Sequence, residues 1–346
     1  MIFKIGNRSI GENERPYCIA EVGINHNGSL ENVFKMIKVA RDSGADALKF
    51  QTFRANEFCS KDQKFTYQSQ GKKITEPMLN MFQRYEFSRE HWFEIKNECD
   101  KQSITFMSTP QNRTDLDLLL EVGIPAIKVG SDDLTNIPLI RSYAKEKLPL
   151  ILSSGMSDLA EVYNSINVAR GFDGHPVALL LCTSQYPTPP EEVNLSRLHT
   201  LKNALPGITI GFSDHTKGTL ASSLAVALGA TILEKHFTLD NNLPGPDHWF
   251  SENPSGLKKW VSCVQKSHTM KGSPIVRPTV LETKNKSEYQ RHLVAACDIK
   301  AGELFSETNI TLRRVEGGKG FPPSYIDHLV KKLSSRSYQQ GEPIEF

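Results

Sequence analysis

Eight times between residues 18 and 238 the chain makes the same move: a short apolar run ends in polar residues, and a longer segment with helical spacing follows. The runs are CIAEVGIN (18–25), ALKFQTF (47–53), ITFMSTP (104–110), AIKVGS (126–131), PLILSSG (149–155), VALLLCTS (177–184), TIGFSDH (209–215) and TILEKHFT (231–238). Segments between them, such as SLENVFKMIKVARDSG and DLAEVYNSINVARGF, repeat apolar residues every three or four positions, as amphipathic helices do. Ser29 and Asp158 are expected N-caps, and Gly44 and Gly171 expected C-terminal stops. Eight such units in about 250 residues fit a (β/α)8 TIM barrel in count and length. An open doubly wound sheet would call for a glycine fingerprint such as GxGxxG after a strand, and the sequence has none.

The barrel is expected over residues 1–270, with the segment 54–87 inserted over its active face. Residues 271–287, polar and carrying two prolines, read as a linker. The last stretch, 288–346, mixes short β-like runs with turns such as KAGE and EGGKG, and reads as a small second domain.

Composition narrows the function classes. With 38% hydrophobic and 23% charged residues and a formal net charge of +2, the chain presents no broad field for nucleic acid or a membrane surface. No run approaches the roughly 18 apolar residues a spanning helix needs, and the opening MIFKIGNRSIGENERPYC lacks a signal-peptide core. The six cysteines stand far apart without CxxC pairs, which suits reduced thiols in the cytoplasm.

Barrels keep their chemistry at the C-terminal ends of the strands, which is where polarity gathers here. Residues two apart on a strand share a face, so Glu21 faces with Gly23 and Asn25, Lys49 with Gln51, and Glu234 with His236. His215 and His236 end neighbouring strands about 4.8 Å apart, close enough to share a divalent ion, with Glu21 or Glu234 completing or orienting the set. The bland alternative gives each histidine a hydrogen bond within the barrel. Lys49 and Lys128, with the hydroxyls of Ser131, Ser154 and Ser184, suit a phosphate and a carboxylate. Alternatively one lysine pairs with Glu21 or Asp46, or forms a Schiff base. Asp247, in the stiff turn LPGPDHWFS, is a candidate acceptor for a substrate hydroxyl or a turn cap. Tyr186 either lines a sugar pocket or packs, and His26 serves its loop.

The strings IAEVGINHNG, ALKFQTF, FMSTP, IKVGS, LSSGM, CTSQYPTPPEEVNL, GFSDHT, LEKHFTLD and GPDH resemble, in order and spacing, the sialic acid synthase family over residues 17–250. DIKAGELFSETNITLRR resembles the antifreeze-like (SAF, β-clip) domain that follows the barrel in that family. The resemblance implies condensation of phosphoenolpyruvate with an N-acylated hexosamine, such as N-acetylmannosamine or 2,4-diacetamido-2,4,6-trideoxymannose, to a 3-deoxy-nonulosonate and phosphate. It implies a divalent metal, Mn2+ before Mg2+ or Co2+, on His215 and His236. It places Lys49, Lys128, Ser131, Ser154, Ser184 and Tyr186 around phosphoenolpyruvate, Glu21 near the reacting carbons and Asp247 on the sugar. It further implies a homodimer with swapped C-terminal domains, in which Arg314 meets the acylamino group. The family's Arg-Pro-Gly reads Arg314-Val315-Glu316 here and its Arg-Ser-Leu reads Arg291-His292-Leu293, so Arg313 is the alternate. Competing readings are a Schiff-base aldolase on the same barrel and a non-catalytic carbohydrate-binding protein.

Overall fold

Eight parallel strands follow the eight runs: β1 (Tyr17–Gly23), β2 (Ala47–Thr52), β3 (Thr105–Pro110), β4 (Ile127–Val129), β5 (Leu150–Ser153), β6 (Val177–Cys182), β7 (Thr209–Asp214) and β8 (Ile232–His236). This is a computed structural model, which describes residues 2–345. The strand order β3-β2-β1-β8-β7-β6-β5-β4, with β3 alongside β4, makes a nearly closed barrel. Its helices are α1 (Leu30–Asp42), α2 (Arg89–Lys101), α3 (Arg113–Val122), α4 (Ile137–Tyr143), α5 (Leu159–Val168), α6 (Arg197–Ala204), α7 (Leu220–Ala227) and α8 (Pro254–Lys271).

Strand alternation sorts the side chains into two cores. Outward residues such as Ala20, Val22, Leu48, Phe50 and Leu152 pack with Met36, Ile37 and Trp260 of the helices. Inward residues Tyr17, Ile19, Ala47, Met107, Ile151, Leu180 and Ile232 fill the barrel, joined by Phe3, Ile5 and Ile10 of an N-terminal hairpin. Each large apolar side chain so buried contributes about 1.5–3 kcal/mol, which lets the C-terminal end of the same strands carry costly polar groups.

Local signals act as expected at most helix ends. Ser29 Oγ accepts the Asn32 N–H at 3.3 Å, and Asp158 and Glu161 form a reciprocal capping box with both bonds at 2.9 Å. Gly44 follows the cap of α1 with φ +82°. Gly171 is not the stop of α5. Arg170 takes the left-handed position (φ 62°), while a Cβ on Gly171 would press on Ile208 and Ile166. That glycine serves close packing.

The insertion after β2 folds into a short helix (Ala55–Phe58), a hairpin (Lys64–Ser69 with Lys72–Pro77) and a second short helix (Met78–Gln83).

The chain divides into two compact units between Gly272 and Ser273. The second contains α9 (Val280–Tyr289), which begins in the stretch read as a linker and ends two residues beyond it, and the antiparallel pair β9 (Arg291–Ala295) and β10 (Ile310–Arg314). Its own core holds Leu293, Ile299, Phe305, Ile310, Leu329, Tyr338 and Ile344. α9 has no buried side chain, and the capping box of Thr279 with Glu282 stabilises its start. All six cysteines are free thiols. Among the described residues no helix is long and apolar enough to cross a membrane.

Candidate active site

Above the apolar layer the next inward positions are Glu21, Lys49, Lys128 and Glu234, and with Thr109, Ser153 and Cys182 they floor a cavity of about 1010 Å³. Glu21 lies opposite Lys49 in the β1–β2 register, so the carboxylate meets the ammonium at 2.7 Å, with Glu234 at 3.5 Å on its other side. Lys49 also donates to Thr109 Oγ1 at 3.2 Å. Lys128 donates to Ser153 Oγ at 2.7 Å and to the Val129 carbonyl at 3.1 Å.

These groups are fully enclosed. Burial, resisted by Lys49 and reinforced by Glu234, pushes the Glu21 carboxyl up to about 7. Burial works against the Lys49 ammonium, but Glu21 and Glu234 outweigh it and raise its pKa. Lys128, without so close a carboxylate, is pushed down by burial.

The rim carries the histidines. In the β7–β8 register Asp214 pairs with Lys235, so the next residues, His215 and His236, bring their rings to a centroid separation of 5.3 Å. His215 Nδ1–H donates to the Thr183 carbonyl at 2.8 Å, so in the neutral ring the lone pair lies on Nε2. Burial works against the imidazolium, but Cys182 and the Thr183 carbonyl outweigh it and raise the His215 pKa. Burial, with His215 beside it, drives the His236 pKa well down, so that ring is a neutral imidazole, and its buried Nδ1 has no hydrogen-bond partner. Asp247 Oδ2 approaches that nitrogen to 3.9 Å, and burial pushes Asp247 up to about 6. The Tyr186 ring lies 4.2 Å from His215 and 5.6 Å from His236, centroid to centroid.

Behind the histidines, on the outer face, Lys235 Nζ meets Asp214 Oδ2 at 3.1 Å and donates to the Thr216 carbonyl at 2.6 Å. Asp214 Oδ2 also accepts from Ser222 of α7, whose Oγ accepts from the Trp260 indole of α8 at 2.8 Å. The interior of this sheet therefore has polar order on both faces.

The structure brings Glu21, Lys49, Lys128, Ser131, Ser184, Tyr186, His215, His236 and Asp247 to one cavity. Ser154 is different: its Oγ donates to the Leu180 carbonyl at 3.2 Å and it does not line the cavity, where Ser153 stands instead. The alternation of Ile151 and Ser153 along PLILSSG carried that signal. Thr109 and Cys182 also lie on inward positions that the sequence reading passed over. His26 is buried, accepts the Gly28 N–H of its own loop at 3.0 Å, lies 4.5 Å from the Phe87 ring, centroid to centroid, and is pushed by burial down to about 3. Arg314 belongs to the second unit, where its guanidinium lies 5.9 Å from the Tyr289 ring centre.

Gly155 bounds a small cradle beside the lysines. Its N–H donates to Ser131 Oγ at 3.0 Å, and the buried Ser184 Oγ has no partner. A Cβ at residue 155 would overlap Ser184 Oγ and stand 2.7 Å from Ser131 Oγ. Two hydroxyls, a backbone turn and nearby ammonium groups suit an anion. Gly155→Ala is expected to weaken inorganic phosphate binding at least tenfold, about 1.4 kcal/mol, by calorimetry. Unchanged affinity would place the anion elsewhere.

Residues 36–275 match the NeuB family. The chain is 39% identical to N,N'-diacetyllegionaminic acid synthase of Campylobacter jejuni over 96% of its own length and 99% of that protein's. It is 32% identical to human N-acetylneuraminate-9-phosphate synthase, covering 97% of this chain and 93% of that one. Among solved structures, the N-acetylneuraminic acid synthetase of Leptospira borgpetersenii superposes with a TM-score of 0.75 at 32% identity, over 82% of this chain and 95% of that chain.

Proposed function

Because the chain belongs to the NeuB family, the sialic acid synthases, we infer that its barrel condenses phosphoenolpyruvate with an N-acylated hexosamine to give a nonulosonic acid and phosphate. One observation carries the reading: two lysines and two serines, donors suited to an anion, line the same cavity as two imidazoles. Lys49, Lys128, Ser131 and Ser184 hold the carboxylate and phosphate, and Tyr186 packs over them. The enolpyruvate C3 attacks the open-chain aldehyde, water adds at C2, and phosphate leaves by C–O cleavage. Glu21 stabilises the positive charge that grows at C2. Asp247 accepts a sugar hydroxyl.

The paired histidines fit a divalent ion, Mn2+ by family resemblance. In its neutral form each ring offers a nitrogen lone pair, Nε2 in His215, and the buried Nδ1 of His236 lacks a partner. Among the described residues no three His, Cys, Asp or Glu side chains form a closed metal cluster, so water and substrate would supply further ligands. When bound, the ion supplies Lewis-acid polarisation of the aldehyde oxygen. The same reading includes a cytoplasmic homodimer whose swapped C-terminal units bring Arg314, or Arg313, to the sugar's acylamino group.

The test is incubation with phosphoenolpyruvate and a panel of hexosamines, measuring phosphate release and product mass. Chelation is expected to stop turnover and Mn2+ to restore it. The aldolase reading predicts instead a borohydride-trapped lysine and indifference to chelators. The ion pairing of Lys49 with Glu21 at 2.7 Å speaks against that lysine as a free amine nucleophile.

A further inference from the structure

The insertion between β2 and α2 builds one whole wall of the cavity. Phe58, Phe65, Tyr67, Met81 and Phe82 line it, all but the buried Met81 half-buried. Their rings brace one another: Phe58 and Phe82 meet edge to face at 4.9 Å, and Phe65 stacks on Tyr67 at 5.7 Å. The hairpin is tied to the loop that carries Asp247. Ser69 Oγ accepts the Gly245 N–H at 3.0 Å, and the Gln70 amide donates to the Asn242 carbonyl at 2.8 Å.

Beside Gln68 and Lys73, which also line the cavity, the hydroxyls of this wall are engaged within it. Tyr67 donates its hydroxyl to Glu76 at 2.7 Å, and Arg84 grips both oxygens of the same carboxylate at 2.6 and 2.7 Å. The hydroxyls of Thr66 and Thr75 pair at 2.9 Å. What the aromatic side chains offer the cavity is therefore carbon.

Charge is distributed to match. The cavity lining contains Lys49, Lys128 and Lys73, and no arginine among the described residues. Lys49 and Lys128 sit on the floor, engaged with carboxylates and Ser153, and of the three exposed hairpin lysines, Lys64, Lys72 and Lys73, Lys73 alone lines the cavity. A phosphate monoester carries about −1.5 to −2 charge and favours clustered or bidentate cations. Of the insertion's cations, Lys73 alone lines the cavity among the described residues.

Resting on the synthase reading, we propose that the insertion is an acceptor-specificity wall selecting a hexosamine whose C6 end is unphosphorylated and deoxygenated. The aldehyde end lies at the floor with the histidines, and the C6 methyl packs against Phe58, Phe65 and Phe82. A methyl in a shaped apolar pocket is worth about 10–200-fold in kcat/KM.

The experiment uses the full chain with Mn2+, phosphoenolpyruvate and three matched acceptors: N-acetylmannosamine, its 6-phosphate and its 6-deoxy counterpart. Phosphate release is expected to rank 6-deoxy above 6-hydroxy by about tenfold, with the 6-phosphate lowest. Phe65→Ser and Phe82→Ser, each measured separately, are expected to raise KM for the 6-deoxy acceptor about tenfold and to leave the 6-hydroxy acceptor within about threefold. A preference for the 6-phosphate, or a ranking unmoved in both variants, overturns the wall while the synthase reading stands. No phosphate from any acceptor overturns the synthase reading and the wall with it.

Discussion

Replacing His236 with alanine is expected to cut Mn2+-dependent phosphate release about a thousand-fold, a loss of about 4 kcal/mol in transition-state stabilisation. The fold should survive the change, because the ring lies on the cavity rim with its Nδ1 unbonded. Circular dichroism and melting temperature should therefore stay near those of the parent while turnover collapses. His215→Ala should lose as much, and the double variant little more than either single one, since two ligands of one ion act as a unit. Full turnover by His236→Ala in the presence of chelator would remove the ion from the site.

Lys49→Met should be the most damaging change to stability. The ammonium stands between Glu21 at 2.7 Å and Glu234 at 3.5 Å, all three buried. Removing it leaves two carboxylates enclosed without their shared counterion, at a cost of about 3–5 kcal/mol. The deficit should depend on pH in a definite direction. Without Lys49 the folded Glu21 carboxyl, already raised by burial, loses the largest influence holding it down and rises further, so the folded state holds protons that the unfolded chain has released. Stability then falls as pH rises through the interval from the unfolded value to the raised one. Glu21 already shows this behaviour in the parent, with its window between 4.5 and about 7. Melting temperatures measured from pH 5 to 8 should diverge increasingly between parent and variant. Parallel curves would mean that the carboxylates find another partner.

Strand alternation made most of the floor legible. Glu21, Lys49, Lys128 and Glu234 are strand residues whose facing follows from the two-residue period, and the matched ends of β7 and β8 set His215 beside His236. The same rule fails where the sequence doubles a residue type. In LILSSG either serine satisfies the eye, yet a slip of one residue turns the side chain to the other face, and Ser154 points away where Ser153 points in. Loop residues carry no such period. Ser131, Ser184, Tyr186 and Asp247 were reached through their places beyond strand ends and through family resemblance.

Two elements had unused signals. In KFTYQSQGKK, Phe65 and Tyr67 alternate before Gln70 and Gly71, both of which adopt positive φ, the pattern of a hairpin with a tight turn. TVLE at 279–282 is a capping box that opens α9, overlooked because that helix buries no apolar face and so has little periodicity to read.

The Asp214–Lys235 pair ties β7 to β8 one step before each histidine, and it is sealed from water at 0% and 2% side-chain exposure. A clasp on the back of the sheet thus sets how far apart the two rings at the front can drift. Through Ser222 and Trp260 that clasp is anchored in α7 and α8, so repacking the outer shell would reach the chemistry without touching a single residue that meets substrate.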